Sequence, residues 1–158
     1  MERKISLRPA TGDDLEGVLG VQRQAPEAAA WSEADYRRLL PAEGTLCLVA
    51  EDTVPKRVVG FLLARTTADE MEVLNLAVAP PHRRKGIARR LLGEALTCGQ
   101  AQGVQQCWLE LRASNQAALE LYRALGFVEA QRRRSYYRDP EEDAVIYVRR
   151  MAPAGVAP

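Results

Sequence analysis

The chain has 158 residues, 47% of them hydrophobic and 27% charged, with 22 Lys and Arg against 21 Asp and Glu. That length suits one domain, long enough to bury well over half of its unfolded surface without a disulfide or metal staple. The net charge of +1 excludes bulk charge as a reason to bind nucleic acid or an anionic membrane.

In chain order, Ile5-Ser6-Leu7-Arg8 alternates and predicts a first strand. Thr11, Asp13 and Asp14 open a helix that runs through Leu15, Val18 and Val21 to about Arg23, with its acids in the first turn. Trp31-Ser32-Glu33-Ala34-Asp35 has the form of a second helix start, ending near Leu40. Thr45 to Ala50 and Arg57 to Thr66 are rich in β-formers and separated by a polar turn, which predicts a hairpin. Met71 to Val78 is another strand, stopped by Pro80-Pro81. From about Lys85, the residues Ile87, Leu91, Leu92, Ala95 and Leu96 recur at helical spacing to Gln102, with Gly103 as the stop. Cys107 to Leu111 alternates again, Leu109 and Leu111 on one face, Trp108, Glu110 and Arg112 on the other. Ser114 or Asn115 caps a helix to Ala124, and Phe127 to Arg133 and Ala144 to Val148 are the last two strands. The order β-α-α-β-β-β-α-β-α-β-β predicts a mixed sheet with helices on both faces. One domain is expected over residues 1–151, with a disordered tail at 152–158, where small residues and prolines cannot offset ordering entropy.

No apolar run approaches the ~18 residues that cross a bilayer. The charged start, Met1-Glu2-Arg3-Lys4, is followed by no secretory-type apolar stretch. A cytoplasmic protein without a membrane partner is expected. Three cysteines without CxxC spacing, Cys47, Cys98 and Cys107, read as structural thiols. One histidine, His82, leaves little from which to build a zinc site or a histidine-activated nucleophile, so no metal is expected. Acid–base chemistry would fall to carboxylates, tyrosines or lysines.

Two segments carry chemistry. In Leu76-Ala77-Val78-Ala79-Pro80-Pro81-His82-Arg83-Arg84-Lys85-Gly86-Ile87-Ala88-Arg89-Arg90, a strand enters a cation-rich turn and then a helix whose first turn has small residues at 86 and 88. Free backbone N–H groups and the helix dipole there suit a pyrophosphate. A solvated basic helix start fits the same spacing, and the residues alone leave both open. In Trp108-Leu109-Glu110-Leu111-Arg112-Ala113-Ser114-Asn115, Glu110 stands near the strand's C-terminal end, where ligands gather in open sheets. Asn115, Leu119 and Tyr122 follow on one helical face. A capping Asn, a packed Tyr and a surface Glu would fit equally.

Val78-x-Pro80-x-x-Arg83-x-x-Gly86-x-Ala88 resembles the acetyl-coenzyme A signature of the GNAT superfamily of N-acetyltransferases. Asn115-x-x-Ala118-x-x-Leu121-Tyr122-x-x-Leu125-Gly126-Phe127 resembles its second signature. Within the superfamily, Trp108 to Asn115, Arg133-Arg134-Ser135-Tyr136-Tyr137, Glu142-Asp143-Ala144 and Trp31-Ser32-Glu33 are similar to the bacterial ribosomal-protein-alanine N-acetyltransferases. The match is strongest from Leu74 to Phe127 and weakest over the first ~70 residues. Ala88 stands where many members have Gly.

The resemblance implies a single-domain GNAT fold of class α/β (α+β), with a mostly antiparallel mixed sheet of six or seven strands and about four helices. It implies acetyl-CoA as cosubstrate, held by Leu76, Ala77 and Val78 through backbone, by Arg83, Arg84, Lys85, Gly86, Ile87, Ala88 and Arg89 at the pyrophosphate, and by Asn115 and Tyr122. Glu110 would be the general base and Tyr122 the general acid, with Trp31, Tyr136 and Tyr137 beside the acceptor. The implied reaction is direct acetylation of a protein N-terminal α-amine, on the N-terminal alanine of a small-subunit ribosomal protein. An α-amine is mostly protonated at neutral pH, its reference pKa being ~7.7–8.0, so transfer needs a proton acceptor. A small amine or lysine side chain as acceptor is the alternative within the same chemistry. A non-catalytic module that keeps CoA, or uses its basic turn on RNA, is the alternative outside it, and nucleic acid is the less expected partner.

Overall fold

A computed structural model describes residues 4–152. The disordered tail expected at 152–158 therefore falls, Ala152 apart, outside the described residues. The described chain forms strands β1 (Ile5–Pro9), β2 (Thr45–Thr53), β3 (Lys56–Thr67), β4 (Glu70–Val78), β5 (Gln106–Arg112), β6 (Val128–Tyr137) and β7 (Glu142–Arg150). The helices are α1 (Leu15–Arg23), α2 (Glu33–Leu39), α3 (Ile87–Ala101) and α4 (Gln116–Ala124). Among the described residues no helix is long and apolar enough to cross a membrane.

Local signals explain most boundaries. Asp14 accepts the Thr11 N–H at 2.7 Å ahead of α1. Ser32 and Asp35 form a reciprocal capping box at α2, with bonds of 3.1 and 3.0 Å. Gly86, in the left-handed region at φ +78°, starts α3 two residues later than the apolar period suggests. The first and third helices are preceded by short 3₁₀ turns, Gly12–Asp14 and Pro80–His82, that periodicity does not reveal.

The seven strands form one sheet in the order β1-β2-β3-β4-β5-β7-β6, antiparallel everywhere except between β4 and β5. Apolar residues of α3 and α4, such as Leu91, Leu92, Ala95 and Leu119, pack one face with Leu62, Leu109 and Leu111. Leu15, Val18, Val21, Tyr36 and Leu39 from α1 and α2 pack the other with Phe61, Leu63 and Ala77. The predicted class, strand number and two-sided helix arrangement are those observed.

One expectation changes in place. Tyr136 and Tyr137, beyond the strand expected to end at Arg133, close strand β6, which runs to Tyr137. Asp143 causes this: its carboxylate takes the Ser135 N–H at 3.0 Å and Arg132 at 3.2 Å, and Tyr137 then re-pairs with Glu142 across a register irregularity.

Candidate active site

Strands β4 and β5 pair only from Glu70–Glu72 against Gln106–Trp108 and then part. A bulge coincides with the parting, because Leu63 pairs with Asn75 and Ala64 with Val73, leaving Leu74 as the extra residue. It reverses which side chains face which way. Met71 and Val73 belong to the α3/α4 core, whereas Leu74 and Ala77 face α1 and α2, and Leu76 and Val78 face α3 and α4 again. The sheet thus opens at its middle, with unpaired backbone along β4 toward β5.

The α3/α4 side of the opening leads to the cationic turn. Arg84 and Gly86 both have positive φ, +62° and +78°, so the chain turns sharply twice before α3. A Cβ built on Gly86 meets no atom within 4 Å, so the space over the helix start is open. Gly60 lets Ile87 come close, its built Cβ lying 3.4 Å from the Ile87 side chain. Ile87 is therefore a buried anchor for α3 and could offer a ligand only its backbone. Arg84, Lys85 and Arg89 are exposed, and Ala88 is half-buried. Arg83 is committed elsewhere: its Nε donates to the Val78 carbonyl at 3.0 Å and its Nη2 bonds Glu27 at 2.9 Å. It fixes the end of β4 to the segment before α2.

On the same side, Asn115 is the N-cap of α4, its Oδ1 accepting the Ala118 N–H at 3.2 Å. The Asn115 Nδ2 has no bond to any described residue, so capping leaves a donor for a ligand. Tyr122 is 6% exposed and meets Phe127 edge-on at 5.3 Å between ring centres. Its hydroxyl bonds no described residue. Burial pushes that phenol well above its ordinary range, with the nearby Cys107 thiol adding to the effect. It stays protonated, a donor rather than a base.

Glu110 lies on the α1/α2 side, alternating with buried Leu109 and Leu111. The Tyr137 hydroxyl points to its Oε1 at 3.5 Å, and Arg133 stands 3.9 Å from its Oε2. The Arg112 guanidinium lies 4.3 Å over the Tyr137 ring and pairs with Glu142 at 3.0 Å, which also takes the Ser114 N–H at 3.1 Å. This chain of contacts seats Tyr137 beside the carboxylate, and burial, reinforced by the Glu110 charge, pushes its phenol up to about 12. Tyr136 is 49% exposed, with Arg133 over its ring at 5.3 Å.

Two residues of this face have no sequence signal. Glu72 pairs in register with Trp108 and shares the Glu110 side of the sheet. Burial raises its carboxyl, and the Glu110 charge adds to the rise against the opposing charge of Arg65. Asn75 is 5% exposed and, with Gln22 and Tyr36, ties β4 to the segment that carries Trp31. The carbonyl of half-buried Trp31 accepts Gln22 Nε2 at 2.7 Å. Of the predicted catalytic and acceptor residues, the structure joins Glu110 and Tyr137 by a direct contact and Tyr136 to Tyr137 edge-on at 5.3 Å, while Tyr122 lies in the core on the other side of the sheet. The three cysteines do not line it as nucleophiles, since burial pushes the Cys47 and Cys107 thiols up to about 12 and also raises Cys98.

The parted β4–β5 pair thus has the cationic turn and the start of α3 on one side of the sheet and the Glu110 carboxylate on the other. The acetyltransferase (GNAT) family model matches residues 16–127, and the chain belongs to that family; it is an acyltransferase. It is 36% identical to the ribosomal protein bS18-alanine N-acetyltransferase of Salmonella typhimurium over 144 residues, 90% of this chain and 93% of that protein. The Escherichia coli K12 enzyme of the same name is 36% identical over 135 residues, 84% of this chain and 88% of its own. The crystal structure of the ribosomal-protein-S18-alanine N-acetyltransferase from Escherichia coli superposes with a TM-score of 0.84 at 31% identity, covering 98% of this chain and 99% of that one.

Proposed function

We propose that this protein transfers the acetyl group of acetyl-CoA directly to the N-terminal α-amine of a protein, an alanine at the start of a small-subunit ribosomal protein, within a ternary complex. One observation carries the reading: the strands β4 and β5 part between the cationic start of α3 on one face and the Glu110 carboxylate on the other. The open space over Gly86, a position where a Cβ would stand in the ligand's way rather than in the protein's, fits phosphate held by backbone N–H groups.

The site residues then divide the work. The turn Arg84 to Arg89 holds the pyrophosphate, backbone at Gly86, Ile87 and Ala88 doing the binding and the exposed cations adding charge. Arg83 braces β4 rather than the ligand. Leu76, Ala77 and Val78 lie along the pantetheine, the backbone near Val78 polarising the thioester carbonyl while the Leu76 N–H is held by Asn75, and the free Asn115 donor meets the same arm. Acetyl-CoA supplies the acetyl group as a thioester. Glu110 takes a proton from the acceptor ammonium, directly or through a water, freeing the amine to attack. Tyr122, kept protonated by burial, donates to the departing sulfur. Trp31, Tyr136 and Tyr137 flank the acceptor peptide. With Cys47 and Cys107 unionised near neutrality, nothing supports an acyl-cysteine intermediate, and transfer in one complex follows.

The test is incubation with acetyl-CoA and peptides that differ only at residue one, each carrying an internal lysine. Fragmentation mass spectrometry should locate the acetyl group on the α-amine, with the alanine peptide turned over fastest. A mark on the lysine, or no mark, overturns the reading.

A further inference from the structure

Asn75 makes more polar contacts than its place in an otherwise apolar strand requires. Its Oδ1 accepts the Ala29 N–H and the Leu76 N–H, both at 3.1 Å. Its Nδ2 donates one hydrogen to the Ala29 carbonyl at 3.0 Å and shares the other between Gln22 Oε1 and the Tyr36 hydroxyl oxygen, each at 3.2 Å. The carboxamide therefore meets both polar groups of the Ala29 peptide, as a neighbouring strand would. Among side chains short enough for the bulge, Asn alone brings a donor and an acceptor in that arrangement. A second tie runs alongside it, from the Val78 carbonyl through Arg83 to Glu27.

The position matters more than the count. Asn75 follows the bulge at which β4 leaves β5, and its side chain turns to the face that bears Glu110. On that face the opening has Tyr136 and Tyr137 on its β5 side and the segment from Gln24 to Trp31 on its β4 side. Ala29 lies in that segment, between two helices and without regular structure of its own. Such a wall has no ladder to place it, and placement passes to side chains that reach it.

We propose that Asn75 is a positioning residue for the acceptor: by clamping the Ala29 peptide to the Leu76 amide it sets the acceptor-side wall of the opening at a fixed distance from the acetyl-bearing strand. The inference rests on the function proposed above. Loss of the clamp loosens the wall and leaves the phosphate turn untouched, so its mark is a split between constants. For Asn75→Ala, KM for the alanine peptide should rise about tenfold, the effect of one lost buried hydrogen-bonding group. The acetyl-CoA Kd and kcat should stay within about threefold, since the phosphate turn and Glu110 make no bond to the clamp and the β4 backbone keeps its pairing with β3. Amide exchange at Ala29 should quicken at least tenfold, because its acceptor is gone.

A lower melting temperature with KM and Ala29 exchange unchanged would make Asn75 a structural residue only and overturn the proposal. Should the Ala variant fail to fold, Asn75→Ser, smaller but still polar, carries the same expectation. Exchange in the unsubstituted protein also decides: Ala29 must exchange as slowly as its β4 neighbours, and loop-like exchange there overturns the clamp. Because exchange is read without an acceptor, the clamp and the choice of acceptor fail separately.

Discussion

The two faces of the sheet are held by different forces. Between the sheet and α3/α4 lies the larger apolar core, with Leu91, Leu92 and Ala95 fully buried and one buried polar pair, His82 Nε2 at 3.4 Å from the Asp52 carboxylate. Between the sheet and α1/α2 the apolar core is smaller and contains polar hubs. Asp14 accepts both Arg8 nitrogens, at 2.7 and 2.8 Å, and Asn75 gathers Gln22, Ala29 and Tyr36. The Arg8 hydrogen bonds hold the Asp14 carboxyl below its ordinary range. A net hydrogen bond contributes about 1 kcal/mol, against several for a filled core position. The α3/α4 side is thus fixed chiefly by packing. The α1/α2 side, proposed to meet the acceptor, can be retuned in small steps without unfolding the domain.

The largest effect should come from the acceptor face. Glu110→Gln keeps the shape and cannot accept a proton, so kcat should fall by roughly 10²–10⁴, the range typical of a lost general base. Raising the pH should restore part of the rate as more free α-amine becomes available. Kinetics across pH with the alanine peptide is the check. A variant with unchanged kcat at neutral pH would hand the proton to another group, and Glu72, on the same side of the sheet, is the nearest candidate by register.

The same contrast explains what could be read in advance. Val78, Pro80, Arg83, Gly86 and Ala88 stand out because a strand end, a turn and a helix start that adjoin in space also adjoin in sequence. Glu110, Asn115 and Tyr122 were legible for a similar reason, being on one strand and the helix that follows. The clamp was not legible. Asn75 meets Ala29, Gln22 and Tyr36 across separations of 46, 53 and 39 residues, and no periodicity encodes such pairs. Arg83 shows the opposite limit: its spacing marked it as part of the phosphate turn, yet its side chain turns back onto Val78. Spacing reports a residue's neighbourhood, not the direction of its side chain. The length of β6 was missed because Asp143, only eight residues on across the turn into β7, holds Ser135 by a side-chain bond that no periodicity announces.

A smaller effect is expected from the packed face. Tyr122→Phe keeps the ring against Phe127 and removes the donor assigned to the departing sulfur. A group that acts only as sulfur leaves lowers kcat and kcat/KM together, so both should fall about tenfold or more, while the acetyl-CoA Kd changes less than about threefold. Its hydroxyl bonds no described residue, so the melting temperature should barely move. Near-normal kcat would make Tyr122 a packing residue and leave the thiolate to depart unaided.

The smallest effect on rate, and the sharpest probe of the two cores, comes from their thiols. Cys47 lies in the α1/α2 core and Cys107, fully buried, in the α3/α4 core. Neither has a role in transfer, so Cys47→Ala and Cys107→Ala should keep kcat within about twofold. Each removes one buried atom and leaves a small cavity, a loss of about 1 kcal/mol, larger where the surroundings cannot relax. If the α3/α4 core is the more rigid, Cys107→Ala should show the larger loss in denaturant unfolding, and the reverse order would undo the contrast between the faces. The thiols also set an alkaline limit. Burial moves each from the ordinary 9.0 to about 12. Above pH 9 the unfolded chain has lost protons that the folded chain still holds, so stability is intact below that pH and falls as it climbs toward 12. Each alanine variant removes one such group. Its unfolding free energy should therefore decline less steeply than the unsubstituted protein's over that interval, and equal slopes would mean these thiols ionise alike in both states.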